Sequence, residues 1–163
     1  MWAGNLLKDS FVTPIVNMFL GDAPKPMDSL FDGFPRKITQ GKMFLQKVRS
    51  LSDAYQCEIK ALVYFLEVEE ALAIERGLRR AQNPNSSRAR LDDNLDSLKN
   101  RLTVFRTETL PLKEFFYKHS VPMLEIDGNI DIIGSADAFN RRTKDVNAFV
   151  AMNGFSDRQI ASL

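Results

Sequence analysis

Ile59-Lys60-Ala61-Leu62-Val63-Tyr64-Phe65-Leu66-Glu67-Val68 is the stretch on which the fold turns. It is β-branched and aromatic with almost no charge in its middle, so it is expected as a strand at the centre of a sheet. Outward from it, residues 69–80 read as a helix, and 81–94 are polar and rich in turn formers, which predicts an exposed loop. From Leu95 the apolar residues Leu95, Leu98, Leu102, Phe105, Leu112 and Phe116 alternate steps of three and four, with Thr109 in the gap. That spacing predicts a long amphipathic helix, kinked by Pro111. Residues 121–126 read as another short strand closed by Asp127-Gly128, and 135–150 as a helix ended by Asn153-Gly154.

On the other side of the central stretch, a helix is expected over about 39–51, with Met43, Phe44, Val48 and Leu51 at helical spacing. Residues 29–34, Ser-Leu-Phe-Asp-Gly-Phe, suit a buried parallel strand that delivers Asp32 and Gly33 at its carboxyl end. Asp9 is expected to cap a first helix that runs to about Leu20, bends at Pro14 and stops at Gly21. The order of helices and strands predicts an α/β fold with a mainly parallel sheet. Such sheets bind ligands outside the carboxyl ends of their strands.

The 163 residues fit one domain of ordinary size, and 44% hydrophobic with 26% charged residues is a composition that folds around a core. Lys+Arg 22 against Asp+Glu 21 leaves a formal charge of +1, which gives no overall case for nucleic acid or an anionic membrane as partner. Any anion site must therefore be local. The lone cysteine, Cys57, can form neither an internal disulfide nor a cysteine-based zinc site, and it reads as a packed thiol ahead of the central strand. No uncharged apolar run approaches the length of a membrane span, and Met1 to Leu7 has no basic flank of a secretory signal. A cytoplasmic protein is expected.

Arginine density is the strongest chemical feature: Arg76, Arg79, Arg80, Arg88, Arg90, Arg101 and Arg106 fall within one third of the chain. Converging guanidinium groups hold polyphosphates through paired hydrogen bonds and stabilise the charge that moves between phosphates. The same residues equally suit a solvated basic face paired with Glu69, Glu75, Asp92, Asp93 and Asp96, and spacing alone leaves both readings open. Asp32-Gly33-Phe34-Pro35-Arg36 at a strand end is more specific: the glycine lets a ligand touch the backbone and the proline stiffens the turn. Its alternative is an ordinary tight turn with a surface arginine. Asp92 and Asp93 are expected to cap the long helix and pair with loop arginines, and His119, the one histidine, to close a helix.

These motifs resemble the adenylate kinase family of nucleoside monophosphate kinases. Asp32-Gly33-Phe34-Pro35-Arg36 with Gln40 is similar to the family's monophosphate-binding signature, and Arg90-Leu91-Asp92-Asp93-Asn94 with Arg101 to its lid-closing signature. Gly4-Asn5-Leu6-Leu7 with Asp9, the pair Arg76 and Arg80, Thr109-Leu110-Pro111-Leu112, Ile126-Asp127-Gly128 and Gly134-Ser135 match in order, so the resemblance covers nearly the whole chain. It implies a P-loop-kinase-like three-layer fold, with an acceptor-binding part over about 1–51, a short lid over 81–94 and the remainder as core. It also implies site roles. Arg36, Arg90 and Arg101 would grip the acceptor's phosphate and the transferring group, with Arg80 and Arg76 on the donor's phosphates. Gln40 would bond the acceptor adenine, and Asn5, Leu6, Leu7, Gly33, Phe34 and Pro35 would line its pocket. Asp32 would orient a magnesium shell through water, and Gly134 would lie near the donor base.

Two departures from the family pattern stand out. Lys8 replaces a usual proline, and no G-x-x-x-x-G-K-[ST] occurs, since Gly41-Lys42 has Arg36 five residues before its glycine. The first strand-loop-helix unit of the family is thus expected to be missing. The enzyme reading is reversible transfer of a phosphoryl group from ATP to AMP, giving ADP, with Mg²⁺ and without zinc. The alternative is a non-catalytic nucleotide-binding module that lacks the phosphate loop. An RNA-binding patch fits less well, because no aromatic platform interleaves the arginines. The sheet edge left by such a truncation favours self-association.

Overall fold

The computed structural model describes residues 5–21, 29–82, 94–130 and 136–154. In chain order these form α1 (Asp9–Gly21), α2 (Ile38–Tyr55), β1 (Val63–Glu67), α3 (Glu70–Ala81), α4 (Leu95–Val104), a π-helical turn (Phe105–Thr109), α5 (Leu112–Lys118), β2 (Met123–Asp127) and α6 (Ala136–Met152). β1 and β2 pair in parallel, Val63 opposite Met123 through Glu67 opposite Asp127. The α/β architecture with a parallel sheet is therefore as expected.

Period-two alternation distributes β1 between two helical layers. Val63 turns towards the core cluster of Leu112, Phe115 and Phe116 on α5, to which α2 adds Leu45. Tyr64 turns the other way, onto Phe149 of α6 with ring centroids 5.8 Å apart. Burial there raises the Tyr64 phenol above its ordinary pKa. Above the sheet, the ammonium of Lys113 bridges Glu67 and Glu125 and lies over the Phe65 ring. Burial works to lower the Lys113 pKa, and the hydrogen bonds to the two carboxylates outweigh it and raise the value.

Several elements differ from the sequence expectation, each for a local reason. Residues 29–34 form no strand: they have no ladder partner among the described residues, and Phe31 and Phe34 pack instead on Phe44 of α2 at 6.0 and 5.9 Å. Leu30, expected inside, is 69% exposed. β1 covers only half of 59–68, because Pro122, just ahead of β2, accepts the Val63 N–H but has no N–H to return. With β2 as its one described partner, β1 is not central among the described residues.

The long helix predicted from Leu95 is interrupted. Pro111 cannot donate to the carbonyl four residues back, and the backbone ahead of it widens so that the Leu110 N–H reaches the Phe105 carbonyl at 2.8 Å. Asn94, not Asp92 or Asp93, caps α4, its side chain accepting the Ser97 N–H at 2.9 Å; the two aspartates lie outside the described residues. Likewise Asp9 does not cap its own helix, since its carboxylate reaches across to α2. Cys57, expected to be packed, is exposed just beyond α2. No helix among the described residues is long and apolar enough to cross a membrane.

Candidate functional site

The Asp32-Gly33 turn and α2 bring the monophosphate-type motif together. Gly33 takes φ +69°, a conformation open to glycine, and the Phe34-Pro35 peptide is cis. The chain then meets Arg36, whose peptide is held from both sides: its N–H donates to Gln40 Oε1 at 2.8 Å, and its carbonyl accepts the Thr109 hydroxyl at 3.0 Å. The Arg36 guanidinium folds back, Nε donating to the Gly33 carbonyl at 2.8 Å. A Cβ on residue 33 would lie 2.6 Å from Arg36 Nη2, so any side chain there would displace the flexible guanidinium from this position. The side chain of Arg36 is otherwise exposed at the surface of the turn.

Behind the loop, Gln40 is 4% exposed and its Nε2 donates to Asp9 Oδ1 at 2.8 Å. Thr39 donates to the other carboxylate oxygen at 2.7 Å. These two hydrogen bonds, Gln40's foremost, hold the Asp9 carboxyl below the usual aspartate range, with help from the Lys37 charge and against the cost of burial. Beside them opens a cleft of about 280 Å³ lined by Asp9, Lys37, Ile38, Thr39, Thr107 and Glu108. The π-helical turn supplies one wall of it and also aims Thr109 at Arg36.

The other predicted residues are distributed as follows. Asn5 is tied to α4, its Oδ1 accepting from Asn100 at 3.1 Å, while Leu6 is half-buried and Leu7 is exposed. Arg101 and Arg80 are half-buried in the last turns of α4 and α3. Arg76 already grips two backbone carbonyls, Gly128 at 2.6 Å and Asn129 at 3.0 Å, and so ties α3 to the end of β2. Arg90 and Gly134 lie outside the described residues. His119 closes α5 as expected, its Nδ1 2.7 Å from the Phe115 carbonyl.

A second groove of about 330 Å³ runs between β2 and α6, where Arg142 bonds the Asp127 carbonyl at 2.5 Å. For a metal, the described residues hold no cluster of three or more carboxylate, imidazole or thiol groups. Asp32 stands exposed at the turn as a single carboxylate. Thr39 and Thr109 are not among the residues expected at the site; Asp9, expected to cap its own helix, also belongs to the stretch that resembles the family's segment beside the acceptor base. A signal for Thr109 was present, as the polar residue in an otherwise apolar series.

No family profile matches the chain. It is 30% identical over 144 residues to an adenylate kinase of Thermosynechococcus vestitus, a match over 88% of this chain and 71% of the relative. An adenylate kinase of Leptospira biflexa is 34% identical over 128 residues, 78% of this chain and 63% of the relative. Adenylate kinase isoenzyme 1 of Caenorhabditis elegans is 32% identical over 105 residues, 64% of this chain and 44% of the relative. The chain spans less than two thirds of the length of most of these relatives.

Proposed function

The chain belongs to the adenylate kinase family, and from that premise we propose that it carries the acceptor side of a nucleotide phosphotransferase, for the reversible reaction of ATP with AMP that yields two ADP. The observation that supports this most is the clamp on Arg36, whose backbone N–H and carbonyl are both bonded and whose guanidinium is tethered to the Gly33 carbonyl at an exposed turn. A guanidinium held in this way is preorganised for a phosphate, because little of its freedom is left to lose on binding.

In this reading Arg36 grips the AMP phosphate together with Arg101 and Arg90, which also stabilise the transferring group. Gln40 addresses the adenine, with Asn5, Leu6, Leu7, Gly33, Phe34 and Pro35 lining the pocket. Arg80 serves the donor's phosphates. Arg76 would have to exchange two carbonyl bonds to join it, so it is better suited to anchoring α3. The AMP phosphate oxygen attacks the γ-phosphorus of ATP as the bond to the β-phosphate bridging oxygen breaks. Arginines and orientation do the work, with no covalent intermediate. Mg²⁺ bound with the nucleotide would neutralise the phosphate charge, and Asp32 would order its waters. The acceptor part would comprise about 1–51 and the lid 81–94.

A non-catalytic nucleotide-binding module is the second reading, favoured by one observation: these 163 residues contain no G-x-x-x-x-G-K-[ST] to cradle the donor's β/γ-phosphates. Calorimetry with AMP, then a coupled ADP-formation assay with and without a family fragment that carries the loop, separates the two. We expect weak AMP binding, negligible turnover by the chain alone and partial rescue by the fragment. Binding without rescue would leave the module reading, and absence of AMP binding would sink both.

A further inference from the structure

We propose that Asp9 is a positioning residue for acceptor recognition: its carboxylate sets the amide orientation of Gln40 and, through it, the backbone of Arg36. This deepens the acceptor-site reading and rests on it. The two ends of the relay are far apart in sequence, with Asp9 in the first turn of α1 and Gln40 in the first turn of α2.

The chemistry of the partners decides the orientation. An ionised carboxylate only accepts hydrogen bonds, so Nε2 of Gln40 must face Asp9. A backbone N–H only donates, so Oε1 must face Arg36. Both demands point the same way. At 4% exposure no solvent stands ready to replace either bond, and a flipped amide would bury oxygen against oxygen and N–H against N–H. Thr39 occupies the second carboxylate oxygen and keeps Asp9 from rotating away.

What Gln40 retains for a ligand is one Nε2 hydrogen and one lone pair on Oε1, in a fixed order. A fixed donor and acceptor pair distinguishes one base edge from another, whereas a freely rotating amide would not. Asp9 thus acts on base selectivity without touching the base. The docking of α1 on α2 becomes part of the specificity of the pocket.

The test uses the full chain with Asp9→Ala and Asp9→Asn, AMP and CMP as probes, and hydrogen exchange of the Arg36 amide measured without nucleotide. Asp9→Ala is expected to weaken AMP about tenfold, the scale of one hydrogen bond, and to weaken CMP much less, so that the preference for AMP collapses. Arg36 exchange should accelerate while the interior of α2 stays protected. Asp9→Asn keeps an oxygen that can accept from Gln40 and should recover most of the preference. Equal weakening of AMP and CMP, or unchanged Arg36 exchange in a folded Asp9→Ala variant, overturns the proposal while leaving the acceptor site in place. A wild-type chain that binds no AMP, yet shows the Asp9-dependent protection of Arg36, would sink the acceptor reading itself and with it any role of Asp9 in recognition.

Discussion

Gly33 and Arg36 share one small volume, and the exchange of either reports on the site. Gly33→Ala puts a side chain into a left-handed conformation, at a cost of about 1–2 kcal/mol, and drives its Cβ into the Arg36 guanidinium. Urea denaturation should show that loss, and calorimetry a matching loss of AMP affinity. Arg36→Lys keeps the charge but loses the Nε–H that bonds Gly33 and the paired donors that suit a phosphate. AMP binding should fall by roughly 1.5–3 kcal/mol for each charged hydrogen bond lost, with little change in the denaturation midpoint. Asp9 adds a pH signature. Its folded pKa lies below the unfolded one, so its contribution to stability is present above the ordinary aspartate pKa of about 4 and is lost as pH falls through the folded value. Wild type should therefore lose stability on acidification more steeply than Asp9→Asn in urea titrations.

At the scale of elements, the contact of α2 with α5 is what holds the site against the core. Gly41, one residue after Gln40, is buried, and a Cβ there would lie 2.9 Å from the Phe115 ring and 3.1 Å from Leu112. Gly41→Ala would gain about 0.8–1 kcal/mol in helix propensity and lose about 1–3 kcal/mol to overpacking. Phe115 and Leu112 are 7% and 1% exposed and have little room to yield, so the overpacking wins. A lower melting temperature, with AMP affinity reduced as Gln40 shifts, is the expected result; a more stable variant would mean that α2 slides freely on α5. The π-helical turn belongs to the same scale, since it places Thr109 under the Arg36 carbonyl.

The molecule as a whole leaves one apolar face uncovered among the described residues. On α1, Val16 faces inward at 5% exposure, while Phe11, Ile15, Met18 and Phe19 are 51–66% exposed at helical spacing. The sequence reading placed the expected exposed apolar surface at a sheet edge; this stripe on α1 is a second source. Patches of this kind drive association, so sedimentation velocity should find the chain self-associating as concentration rises. The double variant Phe11→Glu, Phe19→Glu should shift it towards monomer without loss of helix content. A wild-type chain that sediments as a monodisperse monomer at every concentration would refute the expectation.

The α/β class, the order of helices, strands near 59–68 and 121–126 and the Asp32-Gly33-Phe34-Pro35-Arg36 turn with Gln40 are legible in the chain, because these depend on local periodicity, turn chemistry and short motifs. Asn153-Gly154 ends α6 as read, with Gly154 at φ +82°. Whether residues 29–34 become a strand depends on packing, since a strand exists only when a neighbour completes its ladder, and here Phe44 took the aromatic side chains instead. Packing likewise decided the partners of Asp9: a capping carboxylate and a carboxylate that reaches another helix look alike in sequence, and the packing of α1 on α2 selects between them. Thr109 shows the same division. Its place in the helical register is written in the spacing, but the oxygen it bonds lies 73 residues away and comes within reach only when the fold closes.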